Sequence, residues 1–425
     1  MALSRRQFIK WASASAMLSA AAVPGCASTG KSASPRVVVI GGGYAGATAA
    51  KYVKKWGPNV EVTMVERDHE FISCPLSNLV LGGSKTIPEL TVGYQGLAKY
   101  QVRMVHDEAI SVDAQKRTIQ LARGGNLSYD RLIMAPGIDF MYEQIPGLNN
   151  LDAQQKVLHA WKAGAQTVAL RKQLEAMPDD GVYALCIPKS PYRCPPGPYE
   201  RACQVAHYFK AHKPGSKVLI LDANEDVQSK KGLFTKAWTE YYAGIVEYRP
   251  NSVLMDVDVT TFTAKLEFEN VKADVLNVVP PQRAGNIAHS TGLITANNRW
   301  CGVDFLTYES AAQKNIHVLG GAILAAPAMP KSGHIANQQA KVCAAAVVAL
   351  LTDRPVNEQP MMNNTCYSFI TDREAVHVAS VHRYDSQKQT MLAVEGSVGL
   401  SAAPTDLEGQ YGWGWAQNIW ADMLA

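Results

Sequence analysis

Cys194 stands in the stretch Pro191-Tyr192-Arg193-Cys194-Pro195-Pro196-Gly197-Pro198-Tyr199-Glu200. Before it, Gly181 to Ile187 reads as a buried strand; after it, Tyr199 to His212 reads as a helix, and KVLILD, Lys217–Asp222, reads as a second strand ending in an acid. Strand, turn, helix and acid-tipped strand are the layout of a dinucleotide-binding unit. The turn itself has the wrong chemistry for that work. A phosphate cradle needs free backbone N–H groups, and each proline lacks one and fixes φ. The loop offers instead a thiol, Cys194, in a rigid setting.

An intact phosphate loop lies nearer the start. Arg36 to Ile40, RVVVI, runs into Gly41-Gly42-Gly43-Tyr44-Ala45-Gly46 and then a helical pattern. This is G-x-G-x-x-G between a strand and a helix, where Gly41, Gly43 and Gly46 let the backbone approach a pyrophosphate facing the helix N-terminus. The next strand, Val60 to Val65, ends in Glu66, placed to accept ribose hydroxyls. Two later stretches return to this site. Tyr129-Asp130-Arg131-Leu132-Ile133-Met134-Ala135-Pro136-Gly137 is a strand running into Gly137. Ile316-His317-Val318-Leu319-Gly320-Gly321-Ala322 is another, running into Gly320, with Met329-Pro330-Lys331-Ser332-Gly333 and an Ala-rich helix behind it. That order is the one found in flavoproteins with two dinucleotide units, so FAD is the expected cofactor. The N-terminus of the last helix, with Lys331 and Ser332, is expected to face the flavin and favour its anionic reduced form.

The chain has 425 residues, 47% hydrophobic and 18% charged, enough for a large core in two or three domains. The net charge of +4, from 41 basic and 37 acidic residues, gives no argument for nucleic acid. Ser4-Arg5-Arg6-Gln7-Phe8-Ile9-Lys10 and the weakly apolar run to Val23 read as a twin-arginine export signal over residues 1–27, hence a periplasmic protein. The signal ends either at a cut after Ala27 or at a lipidated Cys26; Pro24 disfavours the lipobox. No later run is apolar and long enough to span a bilayer. The eight cysteines form no C-x-x-C pair, so no metal site is expected, and the absence of C-x-x-C-H leaves no attachment for a c-type haem. Cys186, Cys203, Cys301 and Cys343 read as buried packing residues.

Four words of the sequence carry a closer resemblance: Arg193-Cys194-Pro195-Pro196-Gly197-Pro198-Tyr199-Glu200-Arg201, Pro280-Pro281-Gln282-Arg283-Ala284-Gly285, Met329-Pro330-Lys331-Ser332-Gly333 and Asn364-Thr365-Cys366-Tyr367-Ser368. With them the chain resembles the flavoprotein subunit of flavocytochrome c sulfide dehydrogenase, a branch of the glutathione-reductase-like flavoproteins that also holds the sulfide:quinone oxidoreductases. The resemblance implies that Cys194 and Cys366 form a redox disulfide where sulfide is attacked. It implies that Cys74, in Ser73-Cys74-Pro75, makes a thioether to the FAD 8α-methyl. It places Thr365 and Trp415 on the electron exit, toward a separate c-type cytochrome subunit. One departure is visible: the family's strand ends Gly-Asp where this chain has Gly320-Gly321. A lost hydrogen bond to the ribityl chain would weaken flavin binding by about 1–2 kcal/mol, and a covalent tether would offset it.

The expected architecture is therefore α/β, with two Rossmann-like dinucleotide-binding units of the FAD/NAD(P)-linked reductase type and a smaller C-terminal α+β domain. Residues 36–150 and 285–350 make the FAD domain, 151–284 a second unit without a nucleotide loop, and 355–425 a C-terminal interface domain. The expected function is oxidation of sulfide to sulfur or polysulfide, with electrons passed to the cytochrome. The alternatives are a sulfide:quinone oxidoreductase, an NAD(P)H-dependent reductase, which the prolines argue against, and a redox-inert binding subunit marked by Gly321.

Overall fold

The computed structural model describes residues 34–425; the export signal and both of its possible ends, Cys26 and Ala27, lie outside the described residues. Strand Arg36–Ile40 is the centre of a five-stranded parallel sheet in the order Ile316–Val318, Arg131–Met134, Arg36–Ile40, Glu61–Val65, Arg103–Val105. Parallel strands covered on both faces read as continuous apolar runs, and Val37, Val38 and Val39 are all buried. Helix Tyr44–Trp56 follows the glycine turn and packs on the 19-residue helix Gly333–Leu351. Alanines on both helices allow a close approach, and Asn337 Nδ2 donates across the contact to Thr48 Oγ1 at 3.0 Å.

A second parallel sheet has the order Val246–Arg249, Lys217–Asp222, Val182–Ile187, Val275–Val278. The chain thus leaves the first sheet after Arg131–Met134, builds the second, and returns for Ile316–Val318. The expected α/β class with two Rossmann-like units is what the chain adopts. Strands Ile138–Phe140 and Gln282–Ala284 pair antiparallel where the chain passes out and back. The stretch 161–176, WKAGAQTVALRKQLEA, reads in sequence as one helix, but the helix begins only at Ala165. Gly164, at φ +134, turns the backbone first, and Trp161 to Gly164 border the cavity described below.

The C-terminal sheet joins Met361–Phe369, Ala375–Asp385 and Thr390–Ala393, with Gly399–Leu400 beside the second. Helix Asp406–Leu424 closes the chain, its first turn capped by Thr405 Oγ1, which accepts from Glu408 N at 3.1 Å. Asp422 ties it to the first core by accepting from Tyr52 and Asn337. No helix of the described residues is long and apolar enough to cross a membrane.

Candidate active site

The glycine turn is closed by sterics. Gly41 has φ +96, and a Cβ there would meet the Ala135 carbonyl oxygen at 2.3 Å. A Cβ on Gly46 would sit 1.7 Å from the Gly41 oxygen, so Gly46 lets helix and turn approach without itself touching the cavity beneath. Above Gly43 the space is open. Glu66 braces the turn: Oε2 accepts from Gly42 N at 2.6 Å and Oε1 from Asp68 N at 3.0 Å. Each carboxylate oxygen keeps lone-pair capacity for a further donor.

This turn opens into a cavity of about 870 Å³, within the range of about 300–1,000 Å³ usual for cofactor pockets. Gly41, Gly43, Glu66, Cys74, Gly137, Gly320, Lys331, Ser332 and Trp415 all line it, together with Cys194, Thr365 and Cys366. Residues far apart in the chain are therefore brought to one space. Three long helices also point their N-termini at it, those beginning at Tyr44, Gly197 and Gly333. Their dipoles favour negative charge. The indole N–H groups of Trp161 and Trp415 are buried at the cavity wall with no partner. A flavin dinucleotide fits these features: an open glycine turn, an acid at the ribose end, helix N-termini for the phosphates, and two orphan donors for ring or ribityl acceptors.

Cys194 sits in the left-handed region at φ +62, which costs a non-glycine residue about 1–2 kcal/mol. The loop compensates locally: Cys194 N donates to Lys331 O and Gly197 N donates to Cys194 O, both at 2.9 Å. Arg193 N donates to Gln282 Oε1 at 2.9 Å, joining the Pro280–Gly285 stretch to the cysteine loop. Cys194 and Cys366 are separate thiols in this structure. Burial pushes the Cys194 thiol well above its ordinary value, with Cys366 adding to the effect; burial also raises Cys366, while Lys230 opposes it. Cys74 Sγ lies 3.4 Å from Ala163 N and 3.6 Å from an Arg193 guanidinium nitrogen.

Ser332 caps the helix from Gly333: its Oγ accepts from Ile335 N at 3.0 Å and donates to Asn364 Oδ1 at 2.7 Å. Lys331 borders the cavity, but its ammonium is committed to the carbonyls of Gly321 and Ile323 and lies 3.7 Å from the Trp300 ring centre. Burial, with Arg299 nearby, pushes it down to about 7. Positive potential at this end of the cavity thus comes from the helix, with Lys331 bracing the Gly320–Gly321 turn. Thr365 N donates to His334 Nδ1 at 2.9 Å, and Trp415 stacks on Tyr44 with centroids 6.5 Å apart.

Three charged residues were not singled out from sequence. Glu200, 6% exposed, lines the cavity and accepts from Asn78 Nδ2 and Phe369 N, both at 2.8 Å. Burial raises its carboxyl above the usual range despite those bonds. Arg201, more deeply buried still, donates to Asn78, Asn277 and the carbonyls of His159 and Ala160. Lys230 donates from Nζ to Cys366 O at 2.7 Å and Ser368 Oγ at 2.8 Å. The position of Glu200, six residues after Cys194 at the start of a helix, was the one signal available.

The second unit has no room for a nucleotide at its acid. Asp222 is fully buried, and its Oδ2 accepts from Tyr199 OH at 2.7 Å and Tyr248 OH at 3.1 Å. Its Oδ1 accepts from Asn224 N and Nδ2 at 3.0 and 2.7 Å. A ribose hydroxyl would find every position on this carboxylate taken.

Comparison with known proteins agrees with this geometry. Residues 167–280 match the family model described as the central part of the sulfide dehydrogenase (flavocytochrome c) flavoprotein chain. Residues 358–424 match the flavin-binding part of flavocytochrome c sulphide dehydrogenase, and residues 35–176 match pyridine nucleotide-disulphide oxidoreductase. The chain is 53% identical over 45 residues to the flavoprotein chain of sulfide dehydrogenase (flavocytochrome c) from Chlorobaculum thiosulfatiphilum, 11% of this chain and 94% of that one. It is 22% identical over 304 residues to the mitochondrial sulfide:quinone oxidoreductase of Mus musculus, a match spanning 67% of this chain and 64% of the mouse protein. The fold is similar to that of the sulfide:quinone oxidoreductase from Aquifex aeolicus, with a TM-score of 0.75, 16% identity, and 92% and 91% of the two chains covered.

Proposed function

The chain belongs to the family of the flavocytochrome c sulfide dehydrogenase flavoprotein chains and is a flavin-dependent sulfide oxidoreductase, and from that premise we propose how it works. Cys194 and Cys366 cycle between dithiol and disulfide, and hydrosulfide attacks the disulfide. The observation that carries this is the shared cavity: two cysteines remote in sequence line one space with the glycine turn, in a site whose helix N-termini favour anions. Gly41, Gly43, Glu66, Gly137, Gly320 and Ser332 would hold FAD, and Cys74 is the residue proposed to bond it covalently. Bound there, FAD supplies a two-electron acceptor that can give its electrons up singly.

The chain's own residues then have distinct tasks. Glu200 lines the same cavity as the two cysteines and is the carboxylate proposed to take up the proton that the persulfide later gives up, a role its raised carboxyl suits. The proline-locked loop fixes Cys194 and keeps the thiol from turning away. Thr365 and Trp415 lie on the side proposed for electron exit to a c-type cytochrome subunit. The export signal puts the reaction in the periplasm, with a soluble mature chain preferred over lipidation at Cys26.

The test uses exported protein. Sulfide should bleach the flavin, and reoxidation should follow on adding cytochrome c. Acid denaturation should leave flavin on a peptide containing Cys74. Reoxidation by decylubiquinone alone would point to a quinone-linked enzyme, and protein that never carries flavin would overturn the proposal.

A further inference from the structure

Lys230 is used by nothing in the scheme above, yet it is 6% exposed and sits behind the cavity wall. It occupies a left-handed position, φ +56, at the start of helix Lys231–Glu240. Its ammonium makes hydrogen bonds to two neutral oxygens, the Cys366 carbonyl and the Ser368 hydroxyl, and takes part in no ion pair among the described residues. Removing a cation from water without a carboxylate partner is costly. The titratable groups facing it are the Cys366 and Cys194 thiols, Glu200 and Glu408. Glu200 is held by Asn78 and Phe369, and Glu408 by His377 and Ser401. Glu200 and the two thiols can change charge beside it, and of these only Cys366 belongs to a residue that Lys230 itself bonds.

We propose that Lys230 is the positioning residue that makes Cys366 the departing thiolate, so that the incoming sulfur is captured on Cys194. The assignment rests on the reading of Cys194 and Cys366 as a redox pair. In the step, the hydrosulfide sulfur bonds to Cys194 Sγ as the Cys194–Cys366 bond breaks. The electron pair of the broken bond leaves on Cys366 Sγ, and the hydrosulfide proton stays on the terminal sulfur of the new persulfide. The substrate sulfur is oxidised, the Cys366 sulfur is reduced, and the disulfide itself is the oxidant. Burial opposes a thiolate at either cysteine. Lys230, bonded to the Cys366 backbone and to the side chain two residues on, lowers that cost chiefly at Cys366. Holding Cys366 O and Ser368 Oγ together also fixes the strand segment that carries the leaving sulfur.

Two measurements on the holoprotein decide it. First, oxidised wild-type protein is given one equivalent of sulfide, alkylated, and digested. The persulfide is expected on the Cys194 peptide and the free alkylated thiol on the Cys366 peptide. Second, reduced wild type, Lys230→Gln and Lys230→Arg are alkylated with iodoacetamide across a pH series and both peptides are quantified. In Lys230→Gln the Cys366 midpoint should rise by about one pH unit or more, with Cys194 moving less, and Lys230→Arg should restore the wild-type profile. A persulfide on Cys366, or a Cys366 profile unmoved in Lys230→Gln, overturns the assignment while the redox pair stands. Two thiols that titrate before any reductant is added would overturn the redox pair and this assignment with it. The first measurement needs no variant, so poor folding of Lys230→Gln would not protect the proposal.

Discussion

Replacing Glu200 with glutamine tests the proton-accepting role and the environment in one variant. The carboxylate accepts two hydrogen bonds at 2.8 Å, from a side-chain amide and a backbone N–H. A glutamine amide can accept only one of them, whichever way it turns, and sets its own NH₂ against the other donor. A buried donor left unpaired costs about 1–3 kcal/mol, so the variant should fold with reduced stability. Loss of a general base is worth about 100- to 10,000-fold in rate, read as the rate of sulfide-driven flavin bleaching in stopped flow. Because burial raises the Glu200 carboxyl, the active base form appears only as pH rises through that raised value. The ratio of wild-type to variant rates should therefore climb with pH and then level off; taking the ratio removes the limb due to hydrosulfide ionisation, which both proteins share. Stability moves the opposite way. Between the ordinary and the raised carboxyl values the folded protein binds more protons than the unfolded chain, so stability falls as pH increases. Glu200→Gln should lack that decline in a thermal-melt series. A variant with wild-type rates at every pH, or with the same pH-dependent loss of stability, would refute the reasoning.

Cys194→Ser and Cys366→Ser should each abolish sulfide-driven bleaching while leaving chemical reduction of bound flavin by dithionite intact, as checked by anaerobic spectroscopy. Cys74→Ser should release all flavin into the supernatant on acid precipitation, whereas the wild type should keep it on the peptide. Ser332→Ala removes a helix cap and the donation to Asn364; stability should drop by about 1–2 kcal/mol, seen as a lower denaturant midpoint at unchanged slope.

Much of the first unit was legible because its signals are local. RVVVI, the glycine turn and the following helix are contiguous, and Gly41 and Gly46 are required by contacts within the same turn and with Ala135. The prolines around Cys194 likewise announced a lost phosphate loop. What could not be read was set by contacts between distant segments. Lys230 is one lysine in a polar stretch until the C-terminal strand brings Cys366 and Ser368 to it, 136 and 138 residues away. Trp161 looked like the start of a helix, and only Gly164 and the cavity show it as wall. Lys331 looked free to face the flavin, and the carbonyls of Gly321 and Ile323 claim it. Asp222 looked like a ribose acceptor, and Tyr248 from the neighbouring strand helps close it.

The closed acid and the cysteine loop belong to one construction. The helix that begins at Gly197 sends Tyr199 to Asp222 and, one residue later, Glu200 to the sulfur cavity. Successive residues on a helix face directions about 100° apart, so a single turn serves both sites. The proline-bound start of that helix fixes where the turn falls, and Cys194 precedes it by three residues. Exchanging the prolines for glycines would therefore restore backbone N–H groups but not a nucleotide site, since Tyr199 and Tyr248 would still hold both positions on Asp222 Oδ2. Freeing the acid by Tyr199→Phe would in turn remove a hydrogen bond one residue from Glu200. The two-electron entry from a nicotinamide and the thiol chemistry proposed at Cys194 compete for the same turn of helix, and the closed Asp222 leaves no place for the first.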